Sequence, residues 1–300
     1  MTKFIVKITI ILTVPYFVVS SGCQCNRKPT VSDSLSIDTA LINEVSSSKK
    51  IFYSLPSPLE TALLLKNAGA KYDESLLNPL SNVSKYTSSK NMAINMGIYT
   101  TDLSFASLFD QTQTSLKYMD VSKKLAEGLD IKDAIDNNTL KRIEENLDNR
   151  EVIMDIISDA FMSSSSYLKE NDREPIADML LAGGWIEGLY IATRLVSDKN
   201  FSTDNKLVER ILDQKLSFEI LKKMLAQHKN NPDITNLLTI FNELTPLFEK
   251  VTVKNSDMKV EYDSKSKVTT LDSGSTFNIS KEDFFKLSAK IQEIRTAFIQ

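Results

Sequence analysis

From residue 57 onward, apolar residues return at helical spacing almost to the end of the chain. Ser57-Pro58-Leu59-Glu60 supplies an N-cap serine, a proline at the first helical position and a glutamate placed for a capping box. Leu63, Leu64 and Leu65 follow, and Gly69 stops this helix. Asn78-Pro79 breaks the next short segment. A helix from about Ser89 carries Met92, Met96, Tyr99, Leu103 and Ala106, a 4-3-4-3 apolar stripe. The spacing predicts further helices over 112–127, stopped by Gly128, and a short one capped by Asn138 with Leu140, Ile143 and Leu147. The stretch 150–170 is long and amphipathic, with Ile153, Ile156, Ile157, Ala160, Phe161 and Leu168 on one side.

After the Asn171-Asp172-Arg173 turn, Pro175 starts a helix that runs to about Val196. Two more cover 205–229, with a break expected near Ser217, and 233–251, where Pro246 kinks or restarts the axis. The period then changes. Residues 258–262 and 268–271 alternate, which predicts a β-hairpin. Ser280 caps a final helix carrying Phe284, Phe285, Leu287, Ile291, Ile294 and Phe298. No motif recurs with a period of 34 to 47 residues, and helix lengths are uneven. The expected fold is all-α: an irregular multi-helix bundle with one small β-hairpin before the C-terminal helix.

The most distinctive internal segment is Ala182-Gly183-Gly184-Trp185-Ile186-Glu187-Gly188-Leu189-Tyr190, which holds three of the chain's eight glycines inside a predicted helix. Each glycine costs about 1 kcal/mol relative to alanine in a helix interior, so something must offset it. Gly184 and Gly188 share a face with Ile191 and Leu195, and this face is expected to admit a neighbouring helix. The Ser163–Ser166 run on the preceding helix offers small residues for that approach. A ligand against bare backbone is the other reading of the same glycines. Glu187 and Arg194 lie two turns apart, so each needs a partner from another helix, with Asp102 and Asn95 as candidates. Trp185, Glu187, Tyr190 and Arg194 are thus the candidate pocket or polar-network residues. Asp178, Glu187 and Arg194 make a membrane-spanning reading of this helix too costly.

The N-terminus has a different pattern. Lys3 and Lys7 flank the start, and an apolar run of about twelve residues extends from Ile8 to Val19. That is short of the roughly 20 residues a spanning helix needs. Ser20-Ser21-Gly22 then precede Cys23. A charged start, a short apolar centre and a small-residue exit read as an export signal over 1–22. The arrangement resembles the lipobox of bacterial lipoproteins, with Ser20 at the position where leucine is commonest. It implies cleavage before Cys23 and lipidation of its thiol. Residues 23–50 turn to Ser, Thr, Asp and Asn, the composition of a flexible tether, with one short helix expected over 39–45. Residues 51–300 form the helical domain.

Cysteine and histidine usage narrows the chemistry. The only cysteines are Cys23 and Cys25, so the helical part has neither thiol nor disulfide. The single histidine, His228, falls at a predicted helix end, where it reads as solvated. It cannot build a zinc site of several histidines or an HExxH helix. No phosphate loop, dinucleotide fingerprint, calcium loop or G-x-S-x-G elbow is present. No catalytic residue, metal ligand or cofactor is therefore expected. Without residues 1–22 the chain carries 34 Lys and Arg against 39 Asp and Glu, interspersed and lacking a basic footprint, which argues against a nucleic-acid partner.

Three motifs join the lipobox in a wider resemblance: Phe52-Tyr53-Ser54-Leu55-Pro56-Ser57-Pro58-Leu59-Glu60-Thr61, Leu108-Phe109-Asp110-Gln111-Thr112, and Gly183-Gly184-Trp185-Ile186-Glu187-Gly188. Together they look like a group of uncharacterised α-helical lipoproteins of Bacteroidota. The resemblance implies a lipid-anchored envelope protein and supplies no reaction. Within that phylum, surface-displayed lipoproteins often carry acidic residues after the lipidated cysteine. Here Gln24, Cys25, Asn26, Arg27 and Lys28 follow, which implies an outer-membrane anchor facing the periplasm. The expected partners are the lipid bilayer, through the acyl anchor, and an envelope protein. The expected function is a non-enzymatic interaction or scaffold role. A periplasmic small-ligand-binding protein with a pocket around Trp185 stands second, and a glycan-acting enzyme using two carboxylates third.

Overall fold

A computed structural model describes residues 71–132, 137–146, 149–255, 259–263, 268–272 and 275–300. The export signal, Cys23, the tether and the helix expected from Ser57 lie outside these residues. The fold is all-α. Among the described residues are nine α-helices: α1 Ser89–Leu108, α2 Thr112–Gly128, α3 Asn137–Glu144, α4 Arg150–Glu170, α5 Glu174–Arg194, α6 Lys206–Gln227, α7 Pro232–Asn242, α8 Thr245–Phe248 and α9 Lys281–Ile299. Ahead of α1, two 3₁₀ turns, Glu74–Leu76 and Leu80–Lys85, sit on either side of Asn78-Pro79. No described helix is long and apolar enough to cross a membrane.

Local chemistry sets most helix starts. Ser88, Asn149, Asn205, Asn231 and Ser280 each accept a backbone N–H of the first turn of α1, α4, α6, α7 and α9. Pro246 ends one helix and begins another, dividing α7 from α8. α6 passes through Ser217 without the expected break, because Ser217 is fully buried within a continuous apolar face.

The helix stops follow a rule that the glycines do not announce. Asp110, Asp130 and Asp172 all take left-handed backbone, with φ of 58°, 58° and 57°. The next N–H after each closes back on the helix: Gln111 to Ala106 O, Ile131 to Ala126 O and Arg173 to Leu168 O. These are Schellman closures with aspartate at C′. Gly128, expected as the stop of α2, is instead its last helical residue, and a side chain there would run into the Met92 sulfur.

α1 and α5 form the central pair and share the most extensive contact in the domain. Residues 93–99 of α1 and 177–187 of α5 are buried without interruption. Helices apolar or satisfied on every side belong at the centre. α2, α4 and α9 flank the pair, and α6 packs on α5 and α7. The close approach of α1 and α5 runs through Gly97 and Gly183. A Cβ on Gly183 would fall onto the Ile94 carbonyl oxygen, and one on Gly97 onto Leu180 O and Gly184 N. The expected Gly184 and Gly188 face is therefore corrected by one position. At Gly184 a Cβ would sit at ordinary distances, 3.4 Å from Phe161 Cζ, and at Gly188 3.9 Å from Thr101 Cγ2. The preceding helix contributes Ser164 and Ser165 to the interior, while Ser163 and Ser166 are exposed.

The hairpin is present within one residue of its expected position, as β2 Lys259–Asp263 antiparallel to β3 Val268–Asp272. A second pair, β1 Thr252–Asn255 with β4 Ser275–Asn278, brackets it. Three residues separate β1 from β2 and two separate β3 from β4, so the two registers differ by one residue. Val251, Phe277 and Ile279 are buried at the base of this ribbon, and Lys215 Nζ donates to Val251 O at 2.6 Å.

Candidate functional site

The helix period puts Asn95, Tyr99 and Asp102 on one face of α1, and Glu187 and Tyr190 on one face of α5. These faces meet beneath the 3₁₀ segment and the last turns of α9. α9 brings Arg295, which sits among Ile291, Ile294 and Phe298 at the spacing of its buried face. Asn95, Asp102 and Glu187 have no exposed surface, and Arg295 is 6% exposed.

Arg295 grips Glu187 with two parallel bonds, Nε to Oε2 and Nη2 to Oε1, both 2.9 Å. Its Nη2 also donates to Leu76 O at 3.0 Å, and its guanidinium lies 4.6 Å over the Tyr190 ring. Charge-assisted, bidentate pairing is the strongest form of side-chain hydrogen bond. The second acid, Asp102, has no cation of its own in this arrangement. Oδ2 accepts from the Asn78 backbone N–H at 3.0 Å, while Oδ1 meets no N–H or O–H donor. The Asp102 and Glu187 carboxyls lie close enough for each to act on the other. Two buried acids beside one guanidinium favour a proton on one of them.

The electrostatics assign that proton. Burial, then the Glu187 charge, push the Asp102 carboxyl well above its usual range. Burial also raises Glu187, but Arg295 opposes it with both charge and hydrogen bonds. Arg295 is held protonated because Glu187 outweighs the burial that works against its charge. Asp102 is therefore the acid that burial and its neighbour favour in the neutral form, beside a Glu187 that is paired with Arg295. Around it stand phenols that burial keeps neutral: Tyr72, pushed up to about 12, and Tyr86, Tyr99, Tyr118 and Tyr190, all raised.

This cluster satisfies backbone from distant parts of the chain. Tyr118 donates to Asn78 O and Tyr99 to Pro79 O, both at 2.9 Å. Asn78 Nδ2 donates to Tyr86 Oη at 3.0 Å and to Asn95 Oδ1 at 3.3 Å. Asn95 Nδ2 reaches Phe298 O at 2.9 Å, and Tyr86 Oη reaches Ile299 O at 3.2 Å. Those two carbonyls belong to the last turn of α9, where a helix has no acceptor partners of its own. The cluster thus fastens the segment entering α1 and the end of α9 to the α1–α5 pair.

The sequence-predicted residues divide among three places. Glu187 and Tyr190 belong to the cluster, together with Asn95 and Asp102. Trp185 points to the other side of α5, fully buried among Phe218, Phe241 and Phe248 with ring centroids 5.7, 5.8 and 6.2 Å away. Its Nε1 donates to Gln214 Oε1 at 3.3 Å. Arg194 lies exposed at the end of α5, donating to Gln292 Oε1 at 3.3 Å. It belongs to neither buried group. Cys23 lies outside the described residues. His228 is also corrected: it is half-buried, with Nδ1 2.9 Å from Asp178 Oδ2 on α5, and Asp178 is 2% exposed.

Arg295, Asn78, Tyr86 and Tyr118 escaped sequence reasoning. Arg295 carried a usable signal, a charged residue in register with apolar neighbours, whereas Asn78 read only as a helix breaker. Chemically, the carboxyl pair is closed. Its two acids have no exposed surface, and Glu187 is taken up by Arg295. Among the described residues no cluster of three His, Cys, Asp or Glu is placed to hold a metal. A shallow surface depression of about 440 Å³ runs along α9 past Ala289, Gln292, Thr296 and Gln300. No known protein family, characterised protein or solved structure matches the chain.

Proposed function

We propose that this chain is a lipid-anchored protein of the cell envelope, tethered to the outer membrane through an acylated Cys23 and facing the periplasm. Its helical domain serves as a non-enzymatic interaction or scaffold module for an envelope protein partner. The observation that carries the anchor is the short apolar run ending in Ser20-Ser21-Gly22-Cys23. The resemblance to helical lipoproteins of Bacteroidota supports the same placement. The scaffold role is supported by where the buried polar chemistry goes: Asp102, Glu187 and Arg295 are consumed in holding chain segments together.

The anchor is tested by metabolic labelling with a fatty-acid analogue. Wild type should incorporate label and fractionate with membranes. Cys23→Ser should lose the label and either appear in the soluble fraction or accumulate as unprocessed precursor. Equal labelling of the two overturns the anchor. For the domain, Trp185 emission is the reporter. Fluorescence unchanged by added envelope glycan fractions fits a scaffold, whereas a saturable shift with a defined glycan overturns it in favour of ligand binding.

A further inference from the structure

Residues 71–88 cross the carboxyl pair as a short cover. They contain only two 3₁₀ turns, Glu74–Leu76 and Leu80–Lys85. Besides the packing of Leu76 and Leu77, they are held by the buried cluster: Leu76 O to Arg295, Asn78 N to Asp102, Asn78 O to Tyr118, Pro79 O to Tyr99, and Tyr86 to Ile299 O. Beneath them, Arg295 is bonded to Glu187 alone of the two acids, and the buried Asp102 Oδ1 has no hydrogen-bond partner among the described residues. The interior tolerates this only while one carboxyl is protonated, because an unpaired buried charge is costly.

We propose that residues 71–88 form a proton-gated strap, whose opening releases the proton shared by Asp102 and Glu187 and is favoured as pH rises. The groups facing Asp102 come from every element around it. α5 offers Glu187 and Tyr190, α9 offers Arg295, α1 offers Tyr99 and α2 offers Tyr118. The strap offers Tyr72, with Glu74 beside that phenol and Tyr86 beside Tyr99. The tyrosines are kept neutral, Glu74 is exposed, and Arg295 is the lone cation among these groups. Loss of the proton therefore leaves two carboxylates against one guanidinium. Water relieves that excess, and the strap, held to Asp102 through Asn78 N–H and built of two short 3₁₀ turns, is the element that can yield to admit it. Opening uncovers Leu76 and Leu77, both buried when the strap is closed. The device would let ambient pH set how firmly the domain's entry segment is fastened to its core.

Hydrogen exchange read by mass spectrometry between about pH 5.5 and 8.5, corrected for intrinsic rates, tests the gate. Peptides from 71–88 should be less protected than α1 and α5 peptides at every pH, which marks a local opening. Their protection should fall with pH by up to tenfold per unit, the limit for release of one proton. Asp102→Asn, which keeps the acceptor for Asn78 N–H and donates to Glu187 without titrating, should flatten that dependence. Glu187→Gln, which leaves Asp102 as the single acid beside Arg295, should also flatten it and serves if the first variant does not fold. The infrared carbonyl stretch of a protonated carboxyl should be present in wild type at neutral pH and absent in Asp102→Asn. Strap protection independent of pH, an equal fall in the variants, or strap and core peptides exchanging with the same protection would each overturn the proposal.

Discussion

The two sides of α5 are equally buried and are buried by opposite means. One side carries Glu187, Tyr190 and Gly183 against α1 and α9. The other carries Trp185 against the aromatic rings of α6, α7 and α8. On the aromatic side stability comes from area and ring packing, which tolerate small shifts. On the polar side every group depends on a named partner, and the loss of one leaves another stranded. The aromatic side joins helices that are neighbours in sequence. The polar side joins residues 76, 78, 102, 187 and 295, so it ties the segment ahead of α1 to the central pair and to α9.

The sharpest way to break the comparison is to remove one partner on the polar side. Arg295→Met should cost about 3–5 kcal/mol in denaturant unfolding, because Glu187 is then a buried charge without a cation. Adding Glu187→Leu should recover much of that loss, since an apolar pair of similar volume is often neutral or better. A double variant no more stable than the single one would show that the pair contributes packing rather than charge compensation. On the aromatic side, Trp185→Ala should cost about 3–5 kcal/mol through cavity formation. Here a second deletion, Phe218→Ala, should add to the damage rather than offset it. Recovery in that double variant would erase the distinction between the two sides.

The seam between α1 and α5 gives the next largest effect. Gly183→Ala should destabilise by about 1–3 kcal/mol or more, because the added methyl meets backbone that cannot yield. Gly184→Ala, one residue away, should change the thermal midpoint little, since its methyl would make ordinary contacts. Equal effects at the two positions would place the seam elsewhere.

The smallest effect per step is with pH. Asp102 binds its proton more tightly folded than unfolded, so the stability this proton contributes is fully present below the ordinary aspartate range, near 3.8. It declines as pH rises toward the raised folded value, by at most about 1.4 kcal/mol per pH unit. Asp102→Asn should have a shallower slope and gain on wild type as the solution becomes alkaline. Parallel stability curves from pH 5 to 9 would mean that the carboxyl pair holds no shared proton.

Much of the helical skeleton was legible because its signals are local. The 150–170 amphipathic run is α4 as read, and the hairpin register lies within one residue of its alternation. Caps such as Ser280 and Pro246 acted where expected, since each works through its immediate neighbours. The aspartate stops were not legible. Left-handed backbone at Asp110, Asp130 and Asp172 follows from the geometry of the closing bonds, and aspartate is a secondary choice there. The β1–β4 pair was missed because its strands are four residues long and lie outside the hairpin they extend.

The candidate site was half legible. The cost of glycines and charges inside a helix pointed to Glu187 and Tyr190, and to Asp102 and Asn95 as their neighbours, but put the close contact on Gly184 and Gly188 rather than Gly183. It could not separate Arg194, whose length lets it reach solvent and Gln292, from Arg295, which is held in the interior. His228 gave no sign of Asp178, fifty residues away.

What the sequence determined by itself was the all-α character and the helix boundaries set by caps and prolines. Those follow from period and propensity, which each residue carries wherever the chain places it. Only the tertiary structure decided which glycine touches which helix, which arginine answers Glu187 and which acid is left without a cation. Those are distances between segments up to 219 residues apart. A buried charge dictates that a partner must exist, but packing in three dimensions selects which of the chain's cations it is.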